Sequence, residues 1–188
     1  MFGIIVKVVK IFYCDVSKIT NVNKLIESLP VLRREYVQTI KDVVRKKQSV
    51  LVWKLLEHAL SICYDNCKFD FDCDNEFCWF EKSQKVKFSL SHSTNLVVVA
   101  ISEKPIGVDV ERCAEKLLKL NKKFNDCENI EQIAVKWTQN ESKFKAKTNG
   151  LFSSVSIKDK NGDSYIITAC HADNGKVEFL SVNLSDII

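Results

Sequence analysis

Only two prolines and five glycines punctuate the 188 residues. With so few breakers the chain has no flexible linker and no low-complexity tract, so any two halves must pack directly against each other. Membrane-length apolar runs are lacking too. The best candidate, Phe2 to Tyr13, is interrupted by Lys7 and Lys10 well short of a span and reads as a buried strand. A charge surplus is nearly absent: 28 Lys plus Arg face 24 Asp plus Glu, a net +4. That balance mildly favours anionic partners and is too small to point to nucleic acid. No CxxC pair occurs among the eight cysteines. Cys63, Cys67, Cys73 and Cys78 cluster, yet without paired zinc-ligand spacing they read as scattered core thiols. With no secretory leader, reduced thiols and a cytoplasmic location are expected.

What is present is an ordinary globular balance of 46% hydrophobic and 28% charged residues, enough for one large domain or two small ones sharing a core. Lys18 to Leu29 reads as a short helix, and Pro30 suits the start of the next. Apolar residues at helical spacing between Val31 and Ser61, among them Val37, Ile40, Val44, Leu51 and Leu55, predict two helices. From Lys85 the period changes to two. Val86, Phe88 and Leu90 alternate with Lys87, Ser89 and Ser91, as in a half-buried strand. Leu96 to Ile101 and Ile106 to Glu111 follow as strands flanking a turn-like Ser102 to Pro105, which predicts a hairpin. Ala114 to Phe124 and Asn129 to Lys147 read as helices, and Phe152 to Asn183 as two or three strands with turns at Asn161-Gly162 and Asn174-Gly175. This order predicts an α+β protein.

Three groups of residues carry possible chemistry. Asp109 and Glu111, two apart on a predicted strand, project from one face and begin a site for a hard cation. Alone, such a pair reads as a solvated strand face. Trp137, Glu141 and Lys145 recur every four residues, so they stack on one helix face and direct an indole, a carboxylate and an ammonium toward one pocket. Taken by itself, Glu141 with Lys145 is a common surface pair. Asp109, Glu111 and Glu141 together suit magnesium, which takes a few carboxylates and completes its shell with water and phosphate oxygens. In Phe88-Ser89-Leu90-Ser91-His92-Ser93 a strand ends in hydroxyls and an imidazole. Adjacent residues of an extended chain point apart and no nucleophile elbow is present, so a phosphate contact fits better than a hydrolase triad.

Taken in order, Phe88 to Ser93, Ile-Gly-Val-Asp-Val-Glu at Ile106 to Glu111, and Trp137 to Ala146 resemble the motifs of the Sfp-type 4'-phosphopantetheinyl transferases. The resemblance covers roughly the central third of the chain, Phe88 to Gly150. It implies a pseudo-dimer of two similar α+β halves, Met1 to Glu103 and Lys104 to Ile188, each with a small antiparallel sheet packed on helices and with coenzyme A in the cleft between them. It implies transfer of the phosphopantetheine arm of coenzyme A to a serine of an acidic apo-carrier protein by a monomer. It assigns magnesium to Asp109, Glu111 and Glu141, the coenzyme A pyrophosphate to Lys145, and coenzyme A phosphate to Ser91 and His92. Glu128, within an element resembling Phe-Ser-x-x-Glu at Phe124 to Glu128, becomes a further catalytic acid beside Glu141 and Lys145, although Asn125 replaces the serine. Two further departures stand out. The family's Gly-Lys-Pro is missing where this chain reads Asn75-Glu76-Phe77-Cys78-Trp79, and Asn140 replaces the lysine before Glu141. Arg45, Lys46, Lys47 and Gln48 occupy the stretch where the family carries a helix arginine. Two rival readings remain open: a catalytically degenerate module that binds coenzyme A or a carrier, and another magnesium-dependent phosphohydrolase.

Overall fold

Leu96–Ser102 is buried at every position, and its alternating side chains serve two different cores. Val97, Val99 and Ile101 pack toward a helical layer, whereas Leu96, Val98 and Ala100 pack toward a second sheet. This strand, β5, is therefore the middle of a stack of layers. The computed structural model describes residues 8–64, 71–73, 78–80, 86–120, 123–124, 126–172 and 175–188.

The elements in chain order are β1 (Val9–Asp15), α1 (Asn23–Glu27), α2 (Val31–Thr39), α3 (Val43–Cys63), β2 (Phe71–Cys73), β3 (Cys78–Phe80), β4 (Lys87–Ser93), β5, β6 (Ile106–Arg112), α4 (Ile130–Ala146), β7 (Leu151–Lys158), β8 (Ser164–His171) and β9 (Val177–Ser181). Short 3-10 turns span Glu115–Leu120 and Leu184–Asp186. The protein is α+β. One sheet has the order β4-β5-β1-β9 and another β6-β8-β7, with β2-β3 as a separate ribbon. All pairs are antiparallel except β1 with β9. The last strand thus returns to the sheet begun by the first.

Each larger sheet carries a helix on its outer side. Leu51, Leu55 and Leu56 of α3 pack on the face of the first sheet that presents Phe12, Val97 and Val99. Ile133 and Ala134 of α4 pack with Ile166 of β8. The inner faces meet in a third cluster, where Val9, Ile11 and Val98 contact Val108, Val110, Ile167 and Ala169. The outcome is helix, sheet, sheet, helix, all closed by apolar burial.

Several local expectations change. The predicted strand from Phe2 is seen as β1, its first residues lying outside those described. The helix expected over Lys18 to Leu29 is the five residues of α1, and that over Ala114 to Phe124 is the 3-10 turn at Glu115–Leu120. Pro30 precedes α2 as its N-cap residue, where a missing N–H costs nothing. Asp42 and Asn129 cap α3 and α4, accepting from the Arg45 and Gln132 amides at 2.7 and 3.0 Å. The hairpin expected of β5 and β6 is not formed: β5 pairs with β4 and β1, β6 with β8. Strand β4 also reverses its expected burial, with Ser89, Ser91 and Ser93 buried and Phe88 and Leu90 only half-buried. Its serine face covers the free edge of β6, so it is the polar side that is sealed. Of the cysteine cluster, Cys73 and Cys78 are backbone register partners, and Cys67 lies outside the described residues.

Candidate active site

The free edge of β6 is closed by side chains in place of a neighbouring strand. Its amides at Val108, Val110 and Arg112 donate to the hydroxyls of Ser89, Ser91 and Ser93 at 3.0, 3.3 and 3.2 Å. Two of those hydroxyls donate onward to carboxylates of the same strand: Ser91 to Asp109 at 2.8 Å and Ser93 to Glu111 at 3.2 Å. The serine ladder therefore satisfies buried backbone donors and aims both acids. The Ile-Gly-Val-Asp-Val-Glu stretch divides its labour by alternation. Val108 and Val110 enter the inter-sheet core, whereas Gly107 faces α4 so closely that an added Cβ would lie 2.0 Å from the Ser142 carbonyl oxygen. Only glycine fits there.

Lys145, in the last turn of α4, reaches across this seam. Its Nζ lies 2.8 Å from Asp109 Oδ1, 3.0 Å from the Val108 carbonyl, 3.1 Å from Ser91 Oγ and 3.4 Å from the Leu90 carbonyl. An ammonium has three protons, and four oxygens already compete for them.

A cleft of about 570 Å3 opens between α2, α3, β4 and the end of α4. Among the described residues, Arg33, Arg45, Lys87, Lys145 and Lys147 line it, with Asp109 as the one carboxylate. Its field is cationic, and such a concavity concentrates anions. Arg33 is held in place rather than left mobile: its guanidinium lies 5.0 Å from both the Tyr36 and Trp53 ring centres and donates to the Ser49 carbonyl and hydroxyl. Burial lowers its pKa to about 10, so it stays charged at neutral pH. His92 is different. Burial first, then the charges of Lys145, Arg45 and Arg33, push its pKa down to about 4, which leaves a neutral imidazole that offers one hydrogen-bond donor and no charge.

The residues singled out from sequence are only partly brought together. Asp109, Lys145, Ser91 and His92 share the cleft wall. The Ser91 hydroxyl donates to Asp109 at 2.8 Å, and in this arrangement it positions that acid. Glu111 lies beyond the cleft lining, held by Lys116 at 2.6 Å. Glu141 sits half-buried on α4 one turn before Lys145, outside the lining as well. Glu128 is exposed ahead of the Asn129 cap, about 25 Å along the helix from Lys145 at 1.5 Å per residue. Trp137 packs beside Ile133 and Phe124, with the Lys123 ammonium 5.2 Å from its ring, and so does not face the cleft. Arg33, Tyr36, Ser49 and Lys87 were not foreseen. Nothing in sequence separates Arg33 from the adjacent Arg34 until Trp53 folds over it.

Asp109 Oδ1 is bonded by Lys145 and Ser91, and Glu111 Oε1 by Lys116 and Ser93. Among the described residues no three His, Cys, Asp or Glu side chains gather within reach of one ion. In this arrangement the three acids do not fit a shared divalent ion.

The chain is similar to the 4'-phosphopantetheinyl transferase gsp of Aneurinibacillus migulanus. Identity is 29% over 143 residues, covering 68% of this chain and 59% of the relative. The chain thus spans about three fifths of the length of the transferase it matches. No family model matches it. No helix among the described residues is long and apolar enough to cross a membrane.

Proposed function

We propose that this chain is a transferase moving the 4'-phosphopantetheine arm of coenzyme A to a serine of an apo-carrier protein. The observation that carries the proposal is the cationic cleft between α2, α3, β4 and the end of α4. Among the described residues five cationic side chains face it against one carboxylate, which suits a ligand with a diphosphate and a further phosphate.

In the reaction the carrier serine oxygen attacks the β-phosphorus. The new Ser O–P bond forms as the bridging P–O bond breaks, and 3',5'-ADP departs with the bonding pair. The cations facing the cleft offset charge on the phosphate oxygens and orient the leaving group. Arg45 and Lys87 take up anchoring that the family's missing Gly-Lys-Pro would supply. Neutral His92 contributes a directional hydrogen bond to a phosphate oxygen. Glu141, one helical turn from Lys145, receives the serine proton; Glu128, at the other end of α4, is too remote for that role. The Lys145 and Lys116 ammonium groups hold Asp109 and Glu111 in this arrangement.

The carrier docks beside the cleft mouth. Phe144, Leu151 and Phe152 are 64%, 53% and 42% exposed there, flanked by exposed Lys143 and Lys147. An apolar patch rimmed by cations suits an acidic partner.

A second reading, a degenerate module that binds coenzyme A without transferring anything, is favoured by the lack of a three-acid group in the described residues. A fluorescent coenzyme A analogue incubated with a panel of apo-carriers separates the two. The transferase labels at least one carrier covalently, as seen on a denaturing gel. Binding with no covalent label on any carrier contradicts the proposal.

A further inference from the structure

The geometry of Asp109 and Lys145 points to a use of the lysine that phosphate binding does not cover. Lys145 Nζ is enclosed by two main-chain carbonyls, a hydroxyl and a carboxylate, contributed by β4 and β6. That is an all-oxygen ligand set of the kind that hard metal ions take, and an ammonium at the tip of α4 fills it. The Asp109 side chain is only 10% exposed and that of Lys145 20%, so solvent screens the pair weakly. On the next acid of the strand, Glu111, the arrangement repeats in part: Lys116 and Ser93 both bond the one oxygen, Oε1.

We infer that Lys145 and Lys116 are resident counter-cations of the site, and that a divalent ion gains Asp109 and Glu111 only by displacing them. The two lysines differ in grip. Lys116 is 57% exposed, and an exposed pair of this kind exchanges readily. Lys145 is the real stopper, held by oxygens from both sheets. A divalent ion beside Asp109 repels the ammonium already there. Occupancy by the ion and docking of Lys145 on Asp109 are therefore mutually exclusive, and the displaced ammonium is released toward the cleft, where an anionic ligand receives it. The free protein consequently has low affinity for the ion, and affinity rises when Lys145 is removed. This inference concerns the same site as the proposed transfer but does not rest on turnover, so the two fail separately.

The probe is Mn2+ alone, followed by its paramagnetic resonance signal in titrations of the full chain. Lys145→Ala binds Mn2+ at least about tenfold more tightly than the wild type, equivalent to about 1.4 kcal/mol, and Lys116→Ala gains less. Equal affinities in the wild type and in Lys145→Ala overturn the inference. Should Lys145→Ala fail to fold, amine acylation of the wild type read by mass spectrometry decides. Lys145 is modified at least about tenfold more slowly than Lys143 on the same helix, and millimolar Mg2+ removes that protection while the fold persists. Reaction of Lys145 at the rate of Lys143, or protection unchanged by Mg2+, contradicts it.

Discussion

Ser91 Oγ meets Asp109, the Val110 amide and the Lys145 ammonium at once. Removing it leaves a buried amide and a buried carboxylate each short of a partner, which costs about 2–3 kcal/mol. Ser91→Ala therefore lowers the urea midpoint clearly, whereas Ser93→Ala, whose bonds to Glu111 and the Arg112 amide are only partly buried, costs less. Comparable losses in the two variants contradict the assignment. His92 yields a pH prediction. Its folded pKa of about 4 lies below the ordinary 6.5, so the unfolded chain binds its proton first as pH falls. Stability from neutral His92 is full above about 6.5 and is lost as pH drops toward 4. His92→Gln should flatten that acid limb, by on the order of 3 kcal/mol at its foot; an unchanged limb shows that the imidazole is freely solvated. At this scale the sequence singled out Asp109, Lys145, Ser91 and His92, which share the cleft wall, and passed over Arg33 and Lys87. Ser91 was legible as part of a polar strand end, but its bond to Asp109 depends on a strand eighteen residues later.

The placement of α4 rests on Gly107 and on the helix end at Lys147. Gly107→Ala pushes a methyl against the Ser142 carbonyl and must lift the helix, costing about 3 kcal/mol and withdrawing Lys145 from Asp109. Thermal unfolding together with the transfer rate checks this; an unperturbed variant means that α4 is not seated as described. Lys147 ends the helix with φ +51°, a left-handed conformation in which a residue with a side chain is strained and glycine is at ease. Lys147→Gly should therefore raise stability by about 0.5–1 kcal/mol while weakening coenzyme A binding, measured by calorimetry. Loss of stability in that variant counts against the strain. Helices α2, α3 and α4 were legible because their apolar stripes face a single layer each. Strands β4 to β6 were misread where a strand serves two layers or a polar face is sealed. Period-two alternation says that two faces differ, not which one is buried, and β4 buries its serines because β6 needs acceptors.

Across the whole molecule, the two larger sheets are joined by more than apolar contact. The serine ladder closes one seam. At another, Asp15 accepts from the Lys160 amide and Asp159 from Tyr165 and Asn95. Both seams fix β4 and β6 relative to each other, and with them the wall of the cleft. Its rim of Lys143 and Lys147 beside Phe152 predicts that carrier KM rises with ionic strength and that Phe152→Ala raises KM further without lowering kcat. Salt-independent KM would remove the acidic carrier from that surface. The α+β class was readable from element order alone, whereas Arg33 and Lys87 enter the cleft only through tertiary packing. The measurement that bears most directly on the account is intact mass spectrometry of apo-carrier proteins incubated with this chain, coenzyme A and Mg2+. The account predicts a gain of one phosphopantetheine on a carrier serine, abolished when that serine is alanine; carriers of unchanged mass across the panel, despite bound coenzyme A, would contradict it.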